Sequence, residues 1–256
     1  LNNLSRQAVI AIQNTQLFEE SQSLLKETEQ RAAELQIINS VQEGLASKLD
    51  MNGVYDLVGD KLREIFGLGD VVISIYNEKT NMIIAPYVSY QGKRITAEIN
   101  EWILLPNAPI REHLIQLGKP HVINRNFEKW AEQFGSQPPA DYTGWPKSSL
   151  SAPVIVANKV TGLIWLTTYD REGAYSASDM RLLSTLASSM GVALENARLF
   201  NETQRLLQQT EQRAAELAIL NNVSESMTRT LDVRAVTHNV GNKVQEIFNA
   251  EIVDIL

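Results

Sequence analysis

Apolar residues follow two different periods along the chain. From Ile10 to Leu49 a seam of mostly apolar positions recurs at alternating steps of four and three, and the same pattern returns from Val192 to Leu231. This spacing, held over five or more heptads, is typical of a coiled coil. Between the two stretches, short β-branched runs such as Asp70 to Tyr76 alternate with turn residues and predict strands. The pattern therefore predicts two long helices that flank a globular unit.

The two helical stretches are copies of one another. Residues 17–67 and 199–249 align without a gap at an offset of 182, with about 27 of 51 positions identical. Self-similarity at a fixed period indicates a tandem array. We therefore expect residues 1–17 to be the tail helix of a preceding unit, 18–48 a coiled-coil linker helix, 49–198 a complete domain, 199–230 a second linker helix, and 231–256 the opening helix and strand of a following, truncated unit.

The seam of these helices is mixed in a regular way. One heptad position is mostly apolar and the other is mostly polar, and polar residues at an interface fix the register at a cost in stability. We expect two chains to pair in parallel as a homodimer, either as an ordinary stalk or as a helix pair balanced between two packings. The seam comprises Ile10, Asn14, Leu17, Leu24, Leu35, Ile38 and Leu45 in the first helix, and Val192, Asn196, Leu199, Leu206, Leu217 and Leu220 in the second.

The globular unit has the element order of an α+β layer. A helix over residues 52–66 precedes strands at 70–76 and 82–90, and a short helix at 110–117 precedes a brief strand at 121–123. Strands at 149–156 and 160–168 then lead into the second long helix. This order predicts an antiparallel sheet with helices segregated to one side.

Several motifs in this order resemble a GAF domain. Pro146-Lys147-Ser148 enters a strand, Val160-Thr161-Gly162-Leu163-Ile164 lies in the next, and residues 179–200 (DMRLLSTLASSMGVALENARLF) are similar to the final helix of the family. The resemblance covers about residues 46–200. It implies a cytoplasmic module of a bacterial signalling protein, of the sensor histidine kinase or nucleotide cyclase type. Such a module binds a small molecule and relays the change through a parallel dimeric helix stalk to an output domain. The alternative is a ligand-free spacer and dimerisation module.

The resemblance also implies where a ligand would bind, between the sheet and the loops of residues 87–151. Aromatic side chains with a few polar groups suit a small-molecule pocket, and they equally suit the closing of a small core. The candidate ligand contacts are Tyr87, Trp102, Arg111, His113, Tyr142, Trp145, Ser148 and Ser149. Lys159 and Asp179 match a structural ion pair of the cyclic-nucleotide-binding branch, although Tyr175 and Met180 depart from that motif.

The composition limits the kinds of chemistry and the kinds of partner that we expect for the chain. The 256 residues include no cysteine, which excludes disulfides, thiolate catalysis and a bilin attached through sulfur. A net charge of −7 without a basic cluster is a poor match for nucleic acid or anionic lipid, and no apolar run approaches the length of a membrane helix. Because metal-ligand spacings, a Gly-rich phosphate loop and a nucleophile motif are missing, we expect no enzyme activity and no bound metal. The identity of the ligand stays open.

Overall fold

The chain folds around one antiparallel sheet, as seen in a computed structural model. The structure describes residues 2–48, 50–67, 69–95, 103–105, 108–138 and 144–248, without the side chains of 2–12, 223, 226–233 and 247–248. Trp102 and Tyr142, two of the expected ligand contacts, lie outside the described residues, as does the strand expected within 249–256.

Five helices and seven strands make up the described part of the chain. The helices are α1 (Asn2–Ala46), α2 (Met51–Phe66), α3 (Pro109–Leu117), α4 (Phe127–Glu132) and α5 (Ala177–Phe248). The strands are β1 (Asp70–Asn77), β2 (Met82–Tyr90), β3 (Lys93–Ile95), β4 (Ile103–Leu104), β5 (His121–Ile123), β6 (Ser148–Val156) and β7 (Lys159–Thr168). Within this part, no helix is both long and apolar enough to cross a bilayer.

The sheet confirms the α+β prediction. Its strand order is β3-β2-β1-β7-β6-β5, β4 pairs with β2, and all pairings are antiparallel. Successive side chains of a strand point to opposite faces. In β7, Ile164 and Leu166 therefore join the core on one face, whereas Leu163 and Trp165 belong to a separate cluster on the other.

One face of the sheet is covered by long helices. Leu62 of α2 and Leu183 and Met190 of α5 are completely buried there, together with β1 and β7 residues. The segment before α5 ends in a capping box, because the Asp179 amide donates to Ser176 Oγ and the Ser176 amide donates to Asp179 Oδ2. The helix that completes the core is thus fixed at its first residue. The short helices α3 and α4 pack on the opposite face, so the helices are not confined to one side of the sheet as expected.

Part of the expected dimer seam lies in the chain's own core. Leu45 is buried and Ile38 packs against the same cluster, while Gln42 Nε2 of α1 donates to Ser189 Oγ of α5 at 3.3 Å. Assigning Ile38 and Leu45 to a dimer seam is therefore corrected: the end of α1 uses these residues to close the domain. Several other seam positions are exposed, namely Asn14, Leu17, Leu24, Leu35, Val192, Asn196, Leu199, Leu206, Leu217 and Leu220. The side chain of Ile10 is outside the described set.

The two copies of the repeat differ in secondary structure. In the first copy the helix stops at Ala46, and Asp50 Oδ1 accepts from the Gly53 amide to start α2. In the second copy α5 continues without a break to Phe248. Ser226 and Ala235 stand where the first copy has Gly44 and Gly53. Replacing glycine favours an unbroken helix.

Candidate ligand-binding site

A cavity of about 440 Å³ opens on the sheet face opposite α5. Its floor is formed by β1, β2 and β7, and its walls by the start of α3 and by residues 135–137 and 145–146. The volume lies within the range of small-molecule sites, near the lower end. The cavity therefore suits a compact ligand.

Strand alternation places polar and aromatic groups on this floor. Asp70 and Val72 of β1 line the cavity, as do Trp165 and Thr167 of β7, whereas Ile73 and Leu166 join the opposite core. Antiparallel pairing sets Asp70 against Thr167 and Val72 against Trp165. Two neighbouring strands thus present their polar sides at the same point.

Arg111 brings a cation into the cavity. It stands in the first turn of α3, and its guanidinium carbon lies 6.0 Å from the centroid of the Trp165 ring. Burial lowers the pKa of Arg111, which the negative form of Tyr90 partly opposes. Among the described residues, no carboxylate forms an ion pair with this guanidinium. Positive charge is therefore held in the cavity beside an aromatic ring, without an ion-pair partner among the described residues.

Trp165 is held in place from behind. Its indole Nε1 donates to Ser149 Oγ on the neighbouring strand β6 at 2.6 Å. A buried indole N–H that has its acceptor leaves the ring face free to serve as a rigid wall. Ser149 was expected to contact a ligand directly, but it acts here by orienting a cavity residue.

A second group of polar side chains lies at the start of β1. Asp70 Oδ1 accepts from the Gln91 amide at 2.9 Å, and Tyr90 and Tyr169 line the same part of the cavity. Burial, followed by the negative charges of Asp70 and Tyr90, raises the pKa of Tyr169. Tyr169 therefore stays protonated at neutral pH.

Arg111 and Trp145 are the expected ligand contacts that line the cavity. Tyr87 does not, and this expectation is corrected. Between Ile73 and Ile75 the register of β1 against β2 shifts by one residue, which places a bulge at Ala85–Pro86. The bulge turns Tyr87 to the helix-covered face, where its hydroxyl donates to Asp60 at 2.9 Å and its pKa is raised to about 12, mainly by burial.

The expectation that His113 and Ser148 line the ligand pocket is also corrected. The centroid of the His113 ring lies 4.6 Å from that of Phe134, and His113 is not among the residues that line the cavity. Ser148 Oγ donates to the Arg171 carbonyl at 3.0 Å and accepts from the Ala174 amide at 3.2 Å. Its hydrogen-bonding capacity is used within the fold.

The expected Lys159–Asp179 pair is replaced by two separate interactions. Lys159 Nζ lies 2.6 Å from Glu78 Oε2, and Asp179 caps α5. The β6–β7 turn that carries Lys159 reaches α5 near Gly191, whose added Cβ would stand 2.4 Å from the Ile155 carbonyl oxygen. Because Asp179 lies more than three turns earlier on that helix, roughly 18 Å along its axis, the pair cannot form.

Sequence reasoning missed Asp70, Trp165, Thr167 and Tyr169 as cavity residues. The signal that points to them is the alternation along β1 and β7, since their neighbours Val71 and Leu166 are apolar on the face that the helices cover. Within the described part of the chain, no three His, Asp or Glu side chains are grouped closely enough to hold a metal ion.

Comparisons with known proteins identify the family. The family model described as "GAF domain" matches residues 48–195. No curated protein matches the chain. The GAF domain of an Acinetobacter phosphoenolpyruvate-protein phosphotransferase is similar in structure, with a TM-score of 0.51 at 12% identity over 66% of this chain and 98% of that chain.

Two further solved structures are similar. Residues 122 to 287 of a methyl-accepting chemotaxis protein give a TM-score of 0.51 at 15% identity over 64% of this chain and 99% of that one. The free methionine-R-sulfoxide reductase from Neisseria meningitidis, solved with its substrate, gives 0.50 at 13% identity over 66% and 92%. These similarities bear on the fold. The chain belongs to the GAF-domain family, whose fold binds small molecules and serves sensory and regulatory roles in signalling proteins.

Proposed function

We propose that the chain is the sensory module of a cytoplasmic bacterial signalling protein. A small molecule binds in the Arg111 cavity and changes the position of the segment that starts α5. Paired long helices of a homodimer then relay this change to an output domain. Binding alone is insufficient for such a relay, because the ligand must favour one of two helix arrangements over the other.

The observation that carries the proposal is the direct link from the cavity wall to α5. Trp145 and Pro146 line the cavity. The next residue, Lys147, donates its amide to the Thr168 carbonyl at 2.8 Å, and Ser148 is hydrogen-bonded to Arg171 and Ala174. A displacement of the wall therefore acts on residues 168–174, immediately before the α5 cap.

A second link reaches the same segment from β5. Asn124 Nδ2 donates to the Tyr175 carbonyl at 2.6 Å, and the Tyr175 amide donates back to Asn124 Oδ1 at 3.1 Å. The Gly173 amide also donates to the Asn124 carbonyl at 2.8 Å. The segment before α5 is thus also held by Asn124, which directly follows β5.

The exposed apolar residues of the long helices support the dimer. Leu17 and Leu24 of α1 are 62% and 56% exposed, and Leu217 and Leu220 of α5 are 60% and 61% exposed. A row of exposed leucines at heptad spacing is favourable only when a partner helix covers it. Replacing Asn14 and Asn196 by leucine should strengthen a parallel dimer, and sedimentation equilibrium would measure this. An unchanged dissociation constant contradicts the parallel seam.

One observation favours the spacer alternative. Phe127, Trp130 and Phe134 pack against one another beside the cavity, with ring centroids 5.5 and 5.0 Å from Trp130. These rings fill part of the space beneath the loops without a ligand. The remaining cavity, however, is lined by a buried cation, which a purely structural module does not need.

Native mass spectrometry separates the two functions. We expect the chain, purified from cells, to be a dimer that carries an additional mass of small-molecule size. The variant Thr167→Phe, which fills the cavity floor, should lose this mass, whereas Thr80→Phe in the exposed β1–β2 turn should keep it. A bare wild-type dimer favours the spacer. A mass that survives in Thr167→Phe contradicts binding in this cavity.

A further inference from the structure

The first turn of α3 lines the cavity, and two of its backbone amides have no hydrogen-bond acceptor among the described residues. Ala108, Pro109, Ile110 and Arg111 all line the cavity, and the N-cap residue Ala108 makes no side-chain capping hydrogen bond. The first amides of a helix have no intrahelical partner and carry partial positive charge. Pro109 has no N–H, so the amides of Ile110 and Arg111 are the donors that await an acceptor. No described residue accepts from them.

The Arg111 side chain adds a full positive charge at the same place. It is only partly exposed to water, its guanidinium carbon lies 6.0 Å from the centroid of the Trp165 ring, and it makes no ion pair with any described carboxylate. Glu112, the acidic residue of this turn, interacts with Gln116 and does not line the cavity. A buried guanidinium without a counter-ion is costly unless a ligand supplies one. The amides at the start of α3 and the Arg111 side chain therefore both favour an anionic ligand.

The remaining cavity residues restrict what kind of anion fits. Trp145 and Trp165 provide flat aromatic walls, which suit an aromatic or otherwise planar body. The guanidinium fork matches the two oxygens of a carboxylate. Asp70 lines the same cavity, and its negative charge opposes a ligand with several negative charges. A single carboxylate on a planar body meets all of these conditions, whereas a ligand with several negative charges, such as a nucleoside triphosphate or a polyphosphate, does not.

We propose that the cavity binds a small aromatic monocarboxylate. Its carboxylate accepts from the guanidinium of Arg111 and from the first-turn amides of α3, and its ring lies between Trp145 and Trp165. This assignment names the ligand class of the site and rests on the proposed sensory function.

The test is isothermal titration calorimetry with three probes of one shape. Phenylacetate carries the negative charge, phenylacetamide is its neutral counterpart, and phenethylamine carries a positive charge. We expect phenylacetate to bind wild-type chain at least roughly tenfold more tightly than phenylacetamide, as charge-assisted hydrogen bonds require. Phenethylamine should bind more weakly still.

Substitutions of Arg111 test whether this residue is the source of the preference for the carboxylate. Arg111→Gln should remove the preference for phenylacetate over phenylacetamide, and Arg111→Lys should keep part of it because the charge remains. Arg125→Gln, at an exposed arginine outside the cavity lining, is the matched control and should bind like wild type. Circular dichroism checks the fold of each variant, and the comparison of the acid with the amide in wild type does not depend on any variant.

The possible failures are distinguishable. If phenylacetamide binds wild type as tightly as phenylacetate, and Thr167→Phe abolishes both, the carboxylate assignment is overturned while ligand binding in the cavity stands. If none of the three probes binds, the aromatic monocarboxylate class is overturned, and the mass carried by the purified dimer decides the sensory function separately. If phenylacetate binds Arg111→Gln unchanged, Arg111 is not its partner and the proposal fails.

Discussion

The two faces of the sheet are built for different purposes. On the helix-covered face, Leu62, Ile73, Ile164, Leu183 and Met190 are fully buried and form a continuous apolar cluster. On the other face, the same strands carry Asp70, Trp165 and Thr167 beneath a cavity of about 440 Å³. Because side chains alternate along β1 and β7, successive residues of each strand face the apolar core and the cavity in turn.

This difference separates stability from recognition. A close-packed apolar face loses stability whenever volume is removed, whereas a face that already contains a cavity has less packing to lose. Substitutions on the helix-covered face should therefore act on the free energy of unfolding, and those on the cavity face should act mainly on binding. The predictions below test this division, from the largest expected effect to the smallest.

The largest effect is expected for Leu183→Ala on the helix-covered face. Leu183 is 0% exposed in the main core, and removing a buried leucine side chain costs about 2–5 kcal/mol of unfolding free energy. Urea denaturation followed by circular dichroism would measure it. Leu104→Ala, at a residue that is 52% exposed, should change the free energy by less than about 0.5 kcal/mol. Equal losses in the two variants would contradict the division.

A smaller loss is expected where α5 approaches the sheet most closely. A Cβ at Gly191 would stand 2.4 Å from the backbone oxygen of Ile155, so Gly191→Ala forces the helix away from β6. Overpacking of this kind costs about 1–3 kcal/mol. Thermal and urea unfolding would report it, with Ser188→Ala on the exposed side of the same helix as the control. If Gly191→Ala is as stable as the control, α5 does not contact β6 as described.

On the cavity face, Ser149→Ala should cost about 1 kcal/mol or slightly more, because the indole N–H of Trp165 loses its buried acceptor. The more informative result is on binding. A loosened Trp165 should weaken phenylacetate binding by calorimetry, while Thr161→Ala, which removes a hydrogen bond elsewhere on β7 at 3.3 Å to the Val154 carbonyl, should leave it unchanged. If Ser149→Ala and Thr161→Ala bind phenylacetate equally well, the hydrogen bond from Trp165 to Ser149 does not contribute to ligand binding.

The smallest effect concerns pH. His121 Nε2 is buried without a hydrogen-bond partner, and burial, helped by His113 and Lys119, lowers the pKa of His121 below its ordinary value of 6.5. The unfolded chain therefore binds the proton more readily, so this residue makes stability fall as pH drops below about 6.5. Denaturation at about pH 7.5 and about pH 5.5 should show a smaller loss for His121→Gln than for wild type. A variant with the same pH dependence would exclude His121 as its source.

The sequence predicted the fold better than the site, for physical reasons. Helical and strand periods are local signals, and they gave β2 at residues 82–90 and β5 at 121–123 with the bounds observed. The cavity depends on which strands are neighbours. Asp70 and Thr167 are far apart in sequence and meet only because β1 pairs with β7, so neither stood out as a candidate.

The misassigned residues show the same limit. Tyr87 was placed in the pocket as an aromatic residue within residues 87–151, but the one-residue bulge at Ala85–Pro86 turns it to the other face of the sheet. Leu45 and Ile38 fit the heptad pattern, but a heptad does not say whether the partner helix belongs to the same chain. Arg111 and Trp145 were found because their residue types suit a pocket, whatever the register.

Hydrogen–deuterium exchange tests the central claim, that a ligand on the cavity face acts on the start of α5. The amides of Gly173, Ala174 and Tyr175 donate to Asn124 and Ser148 and therefore report on this segment. With saturating phenylacetate, their exchange should slow in wild type and stay unchanged in Thr167→Phe. If phenylacetate slows exchange only at the cavity walls, and these three amides exchange as in the free chain, the two faces are not coupled and the account is contradicted.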